Sequence, residues 1–299
     1  TAGHNAFGVP GTSIYLSEGE TLAMEDMLYG LMLASGNDAA VAIAEHIDGS
    51  VAAFCERMTA RARELGCEHT VFLTPHGLPQ DGHYTTAHDL ALIAREAMKN
   101  ETFRQIVSTT RATIPWEGRE YDRILNNKNK LLTTYPGATG IKTGYTRAAG
   151  RCLVSSAQRD GMELIAVVMK SPTSAQRFED AKALLDYGFA NYTLARVYPD
   201  VPLAPVEVLL GTTAQVQPQL ERECSLLVRK GEEGLISTQI QLAQDLEAPV
   251  ERGQKLGQMV VTVDGEVRDT IPIVASQQVD RLTIPGIFGK MFQRLLMAR

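Results

Sequence analysis

Apolar residues recur at two different periods along this chain of 299 residues, and the change of period near residue 193 divides it. Met24, Met27, Leu28 and Leu31 fall three and four apart, which predicts a helix leading into Ser35-Gly36-Asn37, with a second helix from about Asp38. Ser50 is placed to cap a third helix, whose apolar face is Val51, Phe54, Cys55, Met58, Ala62 and Leu65 and whose stop is Gly66. Thr86 and Asp89 form a capping pair for a helix carrying Leu90, Ile93, Ala94 and Ala97. Residues 107–115 read as extended and Ile141–Gly144 as a short strand. Residues 151–157 and 162–169 read as a strand pair turning at Asp160-Gly161. Ser174 opens a helix through Phe178, Ala181, Leu184 and Leu185 that ends near Gly188.

Beyond residue 193 the period drops to two. Val206–Leu210, Leu226–Arg229, Ile236–Leu242 and Met259–Val263 alternate as strands between proline-bounded turns, and Asp264-Gly265 is a two-residue hairpin signal. The last residues return to helical spacing. Ile287, Phe288, Met291, Phe292, Leu295 and Leu296 share a face, Lys290, Arg294 and Arg299 are basic, and no acid follows Asp280. These periods predict a mixed α/β domain over 1–192 and an all-β sandwich over 193–282. Over 283–299 they predict an amphipathic helix suited to an anionic membrane surface; docking of that helix on the β module is the other reading.

Composition narrows the function classes. A net charge of −6 gives no basic footprint for nucleic acid, and no apolar run approaches the length of a membrane span. Four cysteines, Cys55, Cys67, Cys152 and Cys224, are too scattered for a disulfide scaffold and read as buried free thiols. No spacing suggests a metal or another cofactor. Because the sequence starts at Thr1 without methionine or leader, it is expected to be processed, trimmed or incomplete.

The chemistry-bearing residues are Lys142-Thr143-Gly144 and Ser35-Gly36-Asn37, 107 positions apart (142 − 35). On a strand, the lysine ammonium attracts a carboxylate, the threonine hydroxyl donates to it, and glycine leaves room for substrate backbone. An extended peptide can pair with that strand's free edge. The Ser-x-Asn loop alone is most simply a connector between helices; the two motifs together are two thirds of the signature of penicillin-binding proteins and serine β-lactamases. The remaining third, Ser-x-x-Lys, does not occur in the 299 residues. Thr139 before Lys142 is the single hydroxyl residue three positions ahead of a lysine.

The chain resembles the low-molecular-mass penicillin-binding proteins, the serine D-alanyl-D-alanine carboxypeptidases of the peptidase S11 family. The likeness runs through Ser13-Ile14-Tyr15-Leu16, Leu33 to Ala40, Thr74-Pro75-His76-Gly77-Leu78, Asn126 to Leu132 and Gly140 to Thr146, and extends over the β module and tail. It implies an acyl-enzyme that releases the terminal D-alanine of peptidoglycan pentapeptides, inhibition by β-lactams, and a place on the outer face of the cytoplasmic membrane. It further implies that Ser35 relays a proton toward the leaving amine and that Asn37 holds the substrate amide. Lys142 and Thr143 bind the terminal carboxylate beside Gly144, and the Tyr145 N–H supplies half of the oxyanion hole. Arg177 and Lys128 stand where the family has cleft cations, and His76 reads as a structural hydrogen-bonding residue. In the family the nucleophile and its lysine base lie ahead of the point matching Thr1, so the 299 residues alone are expected to be inactive. A non-catalytic cell-wall-binding or membrane-associated scaffold is the alternative. A β-lactamase is disfavoured, since no counterpart of its glutamate-bearing loop is found.

Overall fold

Period by period, the pattern becomes structure in a computed structural model that describes residues 1–289. The helices of the first 190 residues are α1 (Met24–Tyr29), α2 (Asn37–Asp48), α3 (Val51–Glu64), α4 (Ala87–Ala97), α5 (Glu101–Ser108), α6 (Leu131–Thr134) and α7 (Ser174–Asn191). The starts of α3 and α4 follow side-chain caps. Ser50 Oγ accepts the Ala53 N–H at 3.2 Å, and Thr86 Oγ1 accepts the Asp89 N–H at 3.1 Å. The Asp89 carboxylate does not complete a reciprocal cap; it accepts from Thr70 Oγ1 at 2.6 Å and from the His69 N–H at 2.8 Å. The strands are β1 (Arg111–Ile114), β2 (Arg123–Asn126), β3 (Ala138–Thr146), β4 (Gly150–Arg159) and β5 (Met162–Ser171). β1 and β2 form a ribbon, and the other three an antiparallel sheet in the order β3-β4-β5. Asp160 and Gly161 both take positive φ, 49° and 80°, the geometry that matches a two-residue turn to strand twist.

Three expectations need correction. Residues 107–115 are not wholly extended, because Asn100 caps α5 through the Phe103 N–H and carries the helix to Ser108. The Lys-Thr-Gly strand is nine residues long rather than four, since pairing with β4 continues to Thr146. Cys152, at the rim of β4, is half-buried instead of a core thiol.

The two compact units of the chain are Thr1–Ala190 and Asn191–Arg299. The second unit is all-β over its paired residues, with β6 (Tyr192–Val197), β7 (Val206–Leu209), β8 (Gln215–Val216), β9 (Pro218–Leu220), β10 (Cys224–Arg229), β11 (Ile236–Leu242), β12 (Asp245–Glu247), β13 (Lys255–Val263) and β14 (Glu266–Ala275). They pair as β6 with β10, β11-β13-β14-β9, and β12-β7-β8. Met259 and Val261 on β13 and Ile271 and Ile273 on β14 alternate inward and are fully buried, each worth about 1.5–3 kcal/mol of burial. Asp264-Gly265 closes that hairpin with φ of 50° and 79°. Residues 284–289 are helical; the rest of the amphipathic tail, from Lys290, lies outside the described residues.

Candidate active site

β3 is an edge strand, so its Lys142-Thr143-Gly144-Tyr145 segment is paired to β4 on one side only. Facing it is the end of the α1 segment, which widens into a π-helical turn over Gly30–Ala34 and stops at Ser35 in the left-handed conformation, φ 65° and ψ 41°. Such turns and left-handed non-glycine residues are costly and collect at functional sites. Lys142 Nζ donates to Ser35 Oγ at 2.8 Å and to the Thr143 carbonyl at 2.9 Å. Burial pushes the lysine down to about 8 from its ordinary 10.5, and the Lys128 and Arg177 cations push the same way.

The Ser-Gly-Asn loop is held by a residue that motif reasoning passed over. Asp38 is buried at the first turn of α2, where a carboxylate suits the helix dipole. It accepts from Ser13 Oγ at 2.6 Å and from the backbone N–H groups of Ile14 and Leu16 at 3.1 and 3.0 Å. The signal was an aspartate directly after Ser-Gly-Asn at a helix start. Asn37 is turned the same way: its backbone N–H donates to the Thr12 carbonyl at 2.7 Å and its Nδ2 to the Pro10 carbonyl at 2.7 Å. Its side-chain nitrogen is thereby occupied, which leaves Oδ1 to accept from a ligand N–H. Gly11 permits this approach, since a Cβ there would lie 2.7 Å from Asn37 Nδ2 at a φ of +94°.

The cleft between these elements has a volume of about 810 Å³, and Ser35, Asn37, Lys128, Lys142, Thr143, Gly144, Tyr145 and Arg177 all line it. Lys128 Nζ reaches Thr12 Oγ1 at 3.4 Å, and burial lowers its pKa. Arg177 is buried on α7; its Nη1 donates to the carbonyls of Gly144 at 3.2 Å and Cys152 at 3.4 Å, tying α7 to the Lys-Thr-Gly strand. Its Nε is buried without a partner. Tyr145 is exposed, and the Arg151 guanidinium lies 4.5 Å above its ring. His76 and His83 also line the cleft, each accepting a backbone N–H at Nδ1 (from Leu78 and Leu73), and burial lowers both pKa values. A ring that accepts at Nδ1 carries its proton on Nε2. His83 carried no recognisable spacing, because its partner Phe72 meets it only through the loop fold.

Thr139 is not a nucleophile for Lys142. Its hydroxyl sits with Ser156 Oγ at 2.7 Å and Glu163 Oε1 at 3.0 Å, in a separate polar cluster. No group of histidine, cysteine, aspartate or glutamate suited to a metal ion occurs among the described residues.

Comparison with known proteins gives the chain its relatives. Residues 3–173 match the family profile described as D-alanyl-D-alanine carboxypeptidase, peptidase S11, and residues 198–281 match the C-terminal domain of penicillin-binding protein 5. The D-alanyl-D-alanine carboxypeptidase DacF of Bacillus subtilis is 35% identical over 279 residues, covering 93% of this chain and 72% of the relative. A D-alanyl-D-alanine carboxypeptidase of Streptomyces is 40% identical over 187 residues, 59% of this chain and 64% of its own. Among solved structures, penicillin-binding protein 5 of Haemophilus influenzae aligns with a TM-score of 0.71 at 30% identity, covering 94% of this chain and 82% of that one.

Proposed function

The chain belongs to the D-alanyl-D-alanine carboxypeptidase family, and from that premise we propose that its cleft receives the D-Ala-D-Ala end of peptidoglycan stem peptides, with β-lactams as mimics of the same ligand. The carrying observation is the 2.8 Å contact between Lys142 Nζ and Ser35 Oγ, which joins the two motifs across 107 positions. The substrate lies extended along the open edge of β3. Its terminal carboxylate meets the Lys142 ammonium and the Thr143 hydroxyl, with Arg177 behind and Lys128 adding positive potential. Asn37 Oδ1 accepts the substrate N–H, and the Tyr145 N–H faces the scissile carbonyl oxygen as half of an oxyanion hole. Ser35, fixed by Lys142, passes a proton toward the leaving amine.

Acylation in this family needs the serine of a Ser-x-x-Lys, and none lies within the 299 residues. Ser35 is a poor substitute: Lys142 holds it by donating a hydrogen bond, and a lysine with a pKa of about 8 is mostly an ammonium at pH 7, with no lone pair to take a proton. The 299 residues are therefore expected to bind a D-Ala-D-Ala peptide reversibly while forming no covalent adduct. The same residues linked to a Ser-x-x-Lys helix should form one. Loss of the attacking serine costs about 10⁶ in turnover in a serine hydrolase. Intact-mass spectrometry after incubation with benzylpenicillin tests this, and an acyl increment mapped to Ser35 would overturn the division of roles. Because peptidoglycan lies outside the cytoplasmic membrane, the site belongs there, with residues 284–299 resting on the anionic outer face.

A further inference from the structure

The charge lining the cleft exceeds what one terminal carboxylate needs. Lys128, Lys142, Arg151 and Arg177 line it, and no aspartate or glutamate does, in a protein with 35 acidic and 29 basic residues. None of these four cations has a carboxylate within ion-pair distance among the described residues: their polar contacts are hydroxyls and backbone carbonyls, and Arg151 has only the Tyr145 ring. Elsewhere the first unit pairs its cations readily, as in Arg123 with Glu20 and Arg104 with Glu163. Burial lowers the pKa of Arg177, and the Arg151 cation pushes it the same way. Like charges that line one cleft without a counter-ion repel each other, and an anion bound among them relieves that repulsion.

The position of Arg151 says which part of a ligand would supply that anion. It stands directly opposite Tyr145 in the β3–β4 register, so both side chains share a sheet face. Tyr145 is two residues on from Thr143, a step of about 6.6 Å along the strand. The Arg151 guanidinium lies over the Tyr145 ring, 4.5 Å from its centre, a cation–π contact that favours this position. An α-carboxylate held at Lys142 and Thr143 therefore places the side chain of the leaving residue within reach of Arg151.

Resting on the cleft reading above, we propose that Arg151 is a specificity-determining residue that selects a leaving residue with a second carboxylate, a C-terminal acidic D-amino acid in preference to D-alanine. The test is calorimetric titration of the 299-residue chain with two peptides, diacetyl-L-Lys-D-Ala-D-Ala and diacetyl-L-Lys-D-Ala-D-Glu. The D-Glu peptide is expected to bind about tenfold tighter at low salt, the scale of one charge-assisted bidentate contact, and the advantage should shrink in salt. Arg151→Gln should bring the ratio of the two affinities to about one, and Arg151→Lys, which keeps the charge but loses the fork, should restore part of it. Equal affinities in the native chain, or a preference that survives Arg151→Gln in a variant with native circular dichroism, would overturn the inference. If neither peptide binds, or if Lys142→Ala leaves D-Ala-D-Ala binding untouched, the cleft reading itself fails and takes the inference with it.

Discussion

At the scale of single residues the site is organised against stability. Lys142 is held in a cleft beside Lys128 and Arg177, and folding lowers its pKa from 10.5 to about 8. Between those two pH values the unfolded chain holds a proton that the folded one has released, so folding stability rises with pH through that window. Below pH 8 both states are charged, and the folded state carries the whole cost of burying the ammonium. Lys142→Met should therefore raise the melting temperature at pH 7 by about 2–4 °C, the shift expected for about 1 kcal/mol in a domain of this size. That gain should fade as the pH rises from 8 to 10.5. Thermal melts of both proteins at pH 7, 9 and 10.5 check it; a constant or growing difference would remove burial as the cause. Ser35 shows the same trade, since its left-handed backbone is strained for a non-glycine residue yet delivers its hydroxyl to Lys142.

Elements are positioned by buried polar clamps more than by the motifs themselves. Arg123 on β2 is buried and bonds both oxygens of buried Glu20, at 2.6 and 2.8 Å, and also the carbonyls of Ile14, Tyr15 and Pro115. It therefore fixes the segment that Asp38 grips from the other side. Burial alone would raise the Glu20 pKa, but the Arg123 guanidinium together with backbone hydrogen bonds, chiefly from the Ser17 N–H, offsets this and holds it below its ordinary 4.5. Stability from this pair is present above pH 4.5 and is lost as the pH falls through the lower folded value. Arg123→Ala should cost about 3–5 kcal/mol in urea unfolding at pH 7, because it leaves a buried carboxylate unpaired. A double replacement Arg123→Met with Glu20→Leu should recover most of that loss; a double variant as weak as the single one would refute the clamp. Little of this was legible in the sequence. Period and caps located α3, α4, β11 and the Asp264-Gly265 hairpin, since those signals lie within a few residues of each other. They missed α5, whose eight residues hold too few turns for a period to register. The two motifs named Ser35, Asn37 and Lys142 to Gly144, and the family resemblance added Tyr145, Lys128 and Arg177, whereas Arg151 and His83 reach their places through contacts that no local pattern records.

At the scale of the whole molecule, the open question is what the tail touches. Among the described residues no helix is long and apolar enough to cross a membrane. Ile284 and Phe288 are exposed at 72% and 67%, and residues 284–289 are helical. From Lys290 on, only the sequence speaks, with Met291, Phe292, Leu295 and Leu296 continuing the apolar face and Arg294 and Arg299 adding charge. The expectation from the sequence is a basic amphipathic helix, a type that lies at the headgroup boundary, where each lysine or arginine contributes about 1 kcal/mol on an anionic surface. Deletion of residues 284–299 should release the protein from vesicles containing phosphatidylglycerol while leaving its circular dichroism and melting unchanged. Binding of the full 299 residues should weaken as salt is raised, because Lys290, Arg294 and Arg299 act through screened attraction. Co-sedimentation at low and high salt separates the readings. If the shortened and full chains sediment equally, the tail is no anchor; if the shortened chain instead melts earlier, the helix is a structural part of the β module.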